Sequence, residues 1–295
     1  MRHYRVAVVG ATGMVGQRFL TLLDGHPWFT VTAVAASPRS AGLPYGQAVA
    51  GRWMMDRLIP ADVLDMPVLD ASNVKAVSEQ ADFIFCAVDM QKDETRALEE
   101  AYAKAETPVI SNNSANRLTP DVPMLIPELN HEHMQVISLQ KRRLGTKSGF
   151  IAVKPNCSIQ SYVPVLHPLR SFGISEVSVC TYQAVSGASR TLAGWPEMAD
   201  NVIPYIGGEE EKSEQEPLKI WGTFGEEGIK SAASPVFSAQ CLRVPVSDGH
   251  MAAVSVRFQE KPTFEEILSA WRGFETLPQQ LGLPSAPKPF LRYLE

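Results

Sequence analysis

Short apolar blocks, separated by longer stretches with helical spacing, fill the first half of the chain. Tyr4–Val9 reads as a buried strand, and Met14–Leu23 as a helix with Val15, Phe19, Leu22 and Leu23 on one face. Val31–Ala36, Asp82–Val88 and Pro108–Ser111 read as further strands, and Lys92–Ala105 as a second helix. Strands and helices alternating in this way predict a parallel sheet covered by helices on both faces. The stretch from Ser40 to Pro67 is less regular and predicts little.

From Phe150 the pattern changes to longer alternating runs, Glu176–Ala184, Gln240–Val246 and His250–Gln259. They predict a mostly antiparallel sheet with one covered face. Thr263-Phe-Glu-Glu266 has the spacing of a capping box and predicts a helix running to about Phe274. Residues 207–217 are polar and acid-rich and read as an exposed loop or helix edge. Pro164 and Pro168 predict a kinked or interrupted helix. The change of pattern divides the chain into domains 1–149 and 150–295, with Lys141-Arg-Arg143 as a solvated connector near the boundary.

Composition adds mainly exclusions. The chain has 295 residues, 45% hydrophobic and 20% charged, enough for two domains with real cores. A net charge of −5 offers no global field for nucleic acid or an anionic membrane. The four cysteines, Cys86, Cys157, Cys180 and Cys241, show no C-x-x-C spacing. They suggest neither a zinc site nor a disulfide framework and fit a reducing cytoplasm. No apolar run reaches the length of a membrane helix, and Val6–Val9 is too short for a signal-peptide core.

Gly10-Ala-Thr-Gly13-Met-Val-Gly16 follows the first strand and opens the first helix. Glycines there permit a tight turn and let a pyrophosphate approach backbone amides. NAD-selective folds place an acid about 20 residues further on, for the ribose 2′-hydroxyl. Here that place reads Ser37-Pro-Arg39-Ser40-Ala-Gly42. An arginine between two hydroxyls suits a 2′-phosphate, so the expected cofactor is NADP(H).

The sequence Lys154-Pro-Asn-Cys-Ser-Ile-Gln160 places Cys157 after an apolar run and a Pro-Asn turn, before a segment that can start a helix. Free amides at a helix start attract negative charge, a setting that suits a nucleophilic thiol. A lone cysteine is more often buried and inert. Among six histidines, His250 ends the turn Ser247-Asp-Gly-His250 and begins a strand, a position from which a side chain can enter a cleft. His131 and His133 form H-x-H with no third metal ligand evident. Arg243 lies in a strand-like run, where it either snorkels from an edge or fixes an anion.

Taken together, these blocks resemble aspartate-β-semialdehyde dehydrogenase, in its archaeal and fungal branch. The resemblance runs through the glycine loop, Ser37–Gly42, Ser111-Asn-Asn-Ser-Ala-Asn-Arg117, Ile126-Pro-Glu-Leu-Asn130 and the Cys157 segment. It continues through Tyr182-Gln-Ala-Val-Ser-Gly187, Asn201–Lys212 and Arg243–His250. It implies an α/β fold class: a Rossmann-type dinucleotide-binding domain, then an α+β catalytic and dimerisation domain with a mostly antiparallel sheet.

The resemblance also implies roles. Cys157 is the expected thioester nucleophile, His250 the general acid/base, and Gln183 the residue that orients the thioester. Arg243 is expected to bind the substrate α-carboxylate and Glu209 its amino group, with Lys212 and Arg117 near the phosphate. Gly10, Thr12, Gly13, Met14, Val15, Gly16, Ser37, Arg39, Ser40, Ser186 and Gly187 are expected at the cofactor. The implied reaction turns L-4-aspartyl phosphate and NADPH into L-aspartate 4-semialdehyde, phosphate and NADP, on the route to lysine, threonine and methionine. A homodimer or homotetramer is implied as well. Family members continue beyond the equivalent of Phe290–Glu295 with a helix that returns to the dinucleotide domain, so a shortened chain is expected to expose apolar surface there. Alternative readings are an acyl-CoA reductase on the same scaffold and a non-catalytic NADP-binding protein. Glu209 with Arg243 favours a substrate bearing an amino group and an α-carboxylate.

Overall fold

The computed structural model describes residues 3–295; Met1 and Arg2 of the basic N-terminal run lie outside them. Within it the chain forms two compact units. The first comprises residues up to Pro123, Met134–Lys154 and Glu226–Gly228; the second comprises Met124–His133, Pro155–Gly225 and Ile229–Glu295.

The first unit is built on β1 (Tyr4–Val9), β2 (Phe29–Ala36), β3 (Val68–Asp70), β4 (Phe83–Cys86), β5 (Val109–Ser111) and β6 (Ile151–Val153). All pair in parallel, in the order β3-β2-β1-β4-β5-β6. Residues 6–9 of β1 are 0% exposed, which is why that strand reads as an unbroken apolar run. Val6, Val8, Leu20, Val34, Tyr45 and Val68 belong to one packed cluster. Order reverses between β1 and β4, so the connections leaving their C-terminal ends diverge and open a crevice.

The helix Lys92–Lys104 carries Asp93 and Glu94 in its first turn and Lys104 in its last, matching the helix dipole. Its Glu99 is fully buried and accepts hydrogen bonds from Ser111 Oγ, Asn113 Nδ2 and Asn116 Nδ2. One carboxylate thus ties together Ser111, Asn113 and Asn116 in the loop that leads to Arg117.

The second unit holds β7 (Ile174–Gln183), β8 (Val236–Arg243) and β9 (Met251–Phe258), in the order β8-β7-β9. β8 runs parallel to β7 and β9 antiparallel, so the sheet is mixed. Alternation reports which face is covered, not which way a neighbour runs. β8 begins earlier than the predicted 240–246, and it ends at Arg243, beyond which Pro245 lacks the N–H to extend it. Along β7, Val177, Val179, Thr181 and Gln183 all point inward, and Gln183 is 1% exposed.

Two expectations need correction. Residues 209–220, read as an exposed loop or helix edge, form a helix, Glu209–Ile220, whose inner face is buried against β8. Its buried residues are Glu209, Ser213, Glu216, Pro217, Lys219 and Ile220, so the inward stripe is mostly polar and carries no apolar period. The second concerns Cys157, which sits in a turn followed by a 3₁₀ turn at Ile159–Ser161, not at the start of a regular α-helix. A short helix, Val163–Leu166, and a 3₁₀ segment, His167–Phe172, follow, interrupted as Pro164 and Pro168 predict. The capping box forms: Thr263 Oγ1 accepts from Glu266 N–H and Thr263 N–H donates to Glu266 Oε2, opening Phe264–Arg272. Among the described residues, no helix is long and apolar enough to cross a membrane.

Candidate active site

In the first unit a cavity of about 760 Å³ opens at the C-terminal ends of β1, β2, β3 and β4. Gly10, Thr12 and Gly13 line it, as do Ser37, Arg39 and Ser40. Gly10 has φ +87°, and a Cβ there would meet Ala87 O at 2.3 Å, so only glycine fits. A Cβ on Gly16 would meet Gly10 O at 2.2 Å; this glycine lets the helix pack on its own loop. Met14, Val15 and Gly16 are not among the lining residues, and Ser186 and Gly187 belong to the second unit.

Asp70, Ser72 and Arg52 also line the cavity and were not found from the sequence. Asp70 Oδ1 accepts from Ser72 N–H at 2.9 Å and Ser72 Oγ–H at 2.8 Å. The lining fits NADP: glycine-loop amides for a pyrophosphate, and an exposed Arg39 between Ser37 and Ser40, with no carboxylate in residues 36–42 to repel a 2′-phosphate.

In the second unit, Cys157 is exposed, and its Sγ lies 3.2 Å from His250 Nε2. The other ring nitrogen, Nδ1, accepts the Ala184 N–H at 3.0 Å. Ala184 follows the end of β7, and its carbonyl accepts from Arg243 Nη1 at 2.8 Å. One peptide segment therefore positions both the histidine and the arginine. Gly187 follows closely: a Cβ there would meet Arg243 Nη1 at 2.7 Å and His250 Cε1 at 3.0 Å.

Beside them lies a buried polar cluster. Glu209 Oε1 accepts from Lys212 Nζ at 2.7 Å, and Asn156 Nδ2 lies 3.0 Å from both carboxylate oxygens. Gln183 Nε2 donates to Oε2 at 3.2 Å. Asn156, immediately before the cysteine, also donates its N–H to Glu216 Oε2 at 2.6 Å and accepts from Ser158 N–H and Oγ–H. The sequence had shown it only as part of a turn. Burial pushes the Glu209 carboxyl up, but Lys212, Asn156 and Gln183 outweigh burial and hold it below the usual carboxylate range. Burial lowers the pKa of the Arg243 guanidinium, and the negative charge of Glu209 opposes that.

Arg117 lies in the first unit, 7% exposed, its Nε donating to Lys154 O and its Nη2 to Asn112 O, each at 3.1 Å. His133 is buried between Asn130 Nδ2 (3.1 Å) and Gly222 O (3.0 Å), and burial lowers its pKa. An exposed thiol against an imidazole, with a buried carboxylate, a buried arginine and a partly exposed lysine nearby, suits acyl transfer to sulfur within a polar, doubly charged substrate site.

The chain matches two family models, "Semialdehyde dehydrogenase, NAD binding domain" over residues 5–137 and "Semialdehyde dehydrogenase, dimerisation domain" over residues 166–294. An aspartate-semialdehyde dehydrogenase of Methanothermobacter thermautotrophicus is 45% identical over 96% of this chain and 79% of its own length. The Schizosaccharomyces pombe enzyme of the same name is 38% identical over 96% of this chain and 79% of its own. Among solved structures, the Candida albicans aspartate semialdehyde dehydrogenase with NADP superposes with a TM-score of 0.85. It is 36% identical and covers 97% of this chain and 80% of that one.

Proposed function

The chain belongs to the aspartate-semialdehyde dehydrogenase family, and from that premise we propose that Cys157 carries the family's reaction as a thioester. The reaction is the NADPH-dependent reductive dephosphorylation of L-4-aspartyl phosphate to L-aspartate 4-semialdehyde. The observation that carries the residue assignment is the 3.2 Å contact between Cys157 Sγ and His250 Nε2.

The Cys157 thiol releases its proton as the sulfur attacks the acyl carbon; the C–S bond forms, the C–O bond to phosphate breaks, and the departing phosphate takes up that proton. Gly10, Thr12, Gly13, Ser37, Arg39 and Ser40 would hold NADPH in the first unit's cavity, and the cofactor would supply the hydride for reduction of the thioester. The resulting thiohemiacetal collapses, breaking the C–S bond and releasing the aldehyde. Arg243 holds the α-carboxylate and Glu209 the amino group, and Lys212 meets the phosphate. Gln183 orients the acyl group.

His250 is the proton partner. With Ala184 N–H on Nδ1, its resting ring is a neutral Nε2–H donor facing the sulfur. It therefore stabilises negative charge on sulfur first, and accepts a proton only if the Ala184 contact opens. The division of labour follows the two units, with the cofactor cavity in the first and Cys157, His250 and the polar cluster in the second.

A homodimer or homotetramer through the mixed sheet is part of this reading. It is supported by the exposed Val236 and Met251 on that sheet and by the dimerisation-domain match. Four free cysteines support a reducing cytoplasm. The test is the reverse assay: NADP reduction that requires both the semialdehyde and inorganic phosphate is expected. Turnover with acyl-CoA substrates alone would overturn the reading.

A further inference from the structure

The carboxylate of Glu209 has its acceptor positions filled. Lys212 and Asn156 donate to Oε1, and Asn156 and Gln183 to Oε2. Two carboxylate oxygens offer about four lone-pair positions. An ammonium group arriving at this carboxylate must displace one of the donors already there.

The donors are not equally held. Asn156 is 5% exposed and Gln183 1%, and Asn156 is further tied to Ser158 and Glu216. The Lys212 side chain is 32% exposed and makes one ion pair, with Glu209 three residues earlier on the same helix. Its ammonium sits on a flexible four-carbon stem and can swing away without moving the helix. It is also the donor whose charge an incoming ammonium would repel.

We propose that Lys212 is an exchangeable counter-ion: it neutralises Glu209 until the substrate α-ammonium replaces it, and is then released to bind phosphate. This rests on the reading that Glu209 takes the amino group and Lys212 the phosphate. It couples the two recognition events. A ligand without the ammonium leaves Lys212 on Glu209 and the phosphate one cation short. By linkage, phosphate tightens binding of the amino ligand by the same factor.

The test is isothermal titration of inorganic phosphate into the full chain. It is run alone, with saturating L-2-aminobutyrate, and with saturating butyrate, which keeps the carboxylate but lacks the ammonium. L-2-Aminobutyrate is expected to tighten phosphate at least about fivefold, and butyrate to leave it unchanged. Glu209→Gln, which releases Lys212 from the start, is expected to tighten phosphate without any amino ligand and to abolish the effect of adding one. That tightening is expected to vanish in Glu209→Gln/Lys212→Met. If it persists there, simple loss of negative charge explains it and the exchange is overturned. Equal phosphate affinity with L-2-aminobutyrate and butyrate overturns it too. If Lys212→Met, titrated in saturating L-2-aminobutyrate, binds phosphate as tightly as the wild-type chain does there, the role of Lys212 falls with the exchange. If that variant weakens phosphate but coupling is absent, the exchange alone falls.

Discussion

The Ala184 amide donates to Nδ1 of His250 across 3.0 Å, and that bond decides which nitrogen faces Cys157. A nitrogen that accepts an N–H carries no proton in the neutral ring, so the proton sits on Nε2 and points at sulfur 3.2 Å away. Nitrogen-15 spectra of imidazole-labelled chain are expected to show the Nε2–H tautomer for His250. Because Ala184 sets it, the tautomer should survive in Cys157→Ala. A switch to Nδ1–H in that variant would show that sulfur, not the amide, controls the ring. Removing a donor aimed at developing charge typically costs about 10²–10³-fold in kcat, the loss expected for His250→Ala with NADP binding unchanged.

The four thiols should react in a fixed order. Cys157 is exposed, Cys180 intermediate, and Cys86 and Cys241 buried. Burial raises the pKa of both buried thiols, and the Glu99 charge raises Cys86 further. Limiting iodoacetamide followed by peptide mass analysis is expected to label Cys157 first and Cys86 and Cys241 last. Early labelling of Cys86 or Cys241 would contradict the described packing.

Much of this was legible beforehand, for physical reasons that also mark the limit. Val6–Val9 and the capping box at Thr263 are local signals, written in apolar runs and short spacings. β3 is three residues long, too short to show a period, so Asp70 and Ser72 were missed at the cavity. The helix Glu209–Ile220 turns a polar face inward, which hydrophobic patterning cannot distinguish from a solvated loop. Cys157 and His250 are 93 residues apart, and Asn156 and Glu209 53; only the fold joins them. Local setting singled out Cys157 and His250 one by one; resemblance to a family paired them and supplied Glu209. Asn156 carried no signal beyond its place in a turn.

Arg39 provides a test confined to the cofactor. It is exposed in the cavity, flanked by Ser37 and Ser40, with no neighbouring carboxylate in residues 36–42. Loss of one charged hydrogen-bonding group typically costs about 1.5–3 kcal/mol, roughly ten- to a hundredfold in affinity. Arg39→Ala should therefore raise KM for NADP by about that factor and leave KM for NAD nearly unchanged. Equal losses for both cofactors would move the 2′-phosphate contact elsewhere.

Gly187→Ala probes how tightly the substrate arginine is set. The added Cβ would lie 2.7 Å from Arg243 Nη1, which Ala184 O already holds at 2.8 Å. Arg243 is 6% exposed and has little room to yield. The variant should fold and show a raised KM for the semialdehyde. An unchanged KM would mean that the Arg243 end is mobile.

His167 should make the chain acid-sensitive in a defined window. Its Nδ1 is buried without a hydrogen-bond partner, and the ring lies 5.6 Å from that of Phe274. Burial, and then the positive charge of Arg170, push its pKa down to about 4 from 6.5, with Glu132 opposing. A pKa lower in the folded state means that the unfolded chain binds the proton more readily. Stability from this group is then complete above pH 6.5 and is lost as pH falls from 6.5 towards about 4. One proton corresponds to at most about 1.4 kcal/mol per pH unit, and partial solvent contact of the ring makes the real slope smaller. Urea unfolding of the wild-type chain and His167→Phe, from pH 7.5 to 4, separates this contribution from that of the carboxylates, which both chains share. The variant is expected to lose less stability across the window, with the difference constant above pH 7. Parallel profiles throughout would mean that the ring takes up its proton without cost in the folded chain.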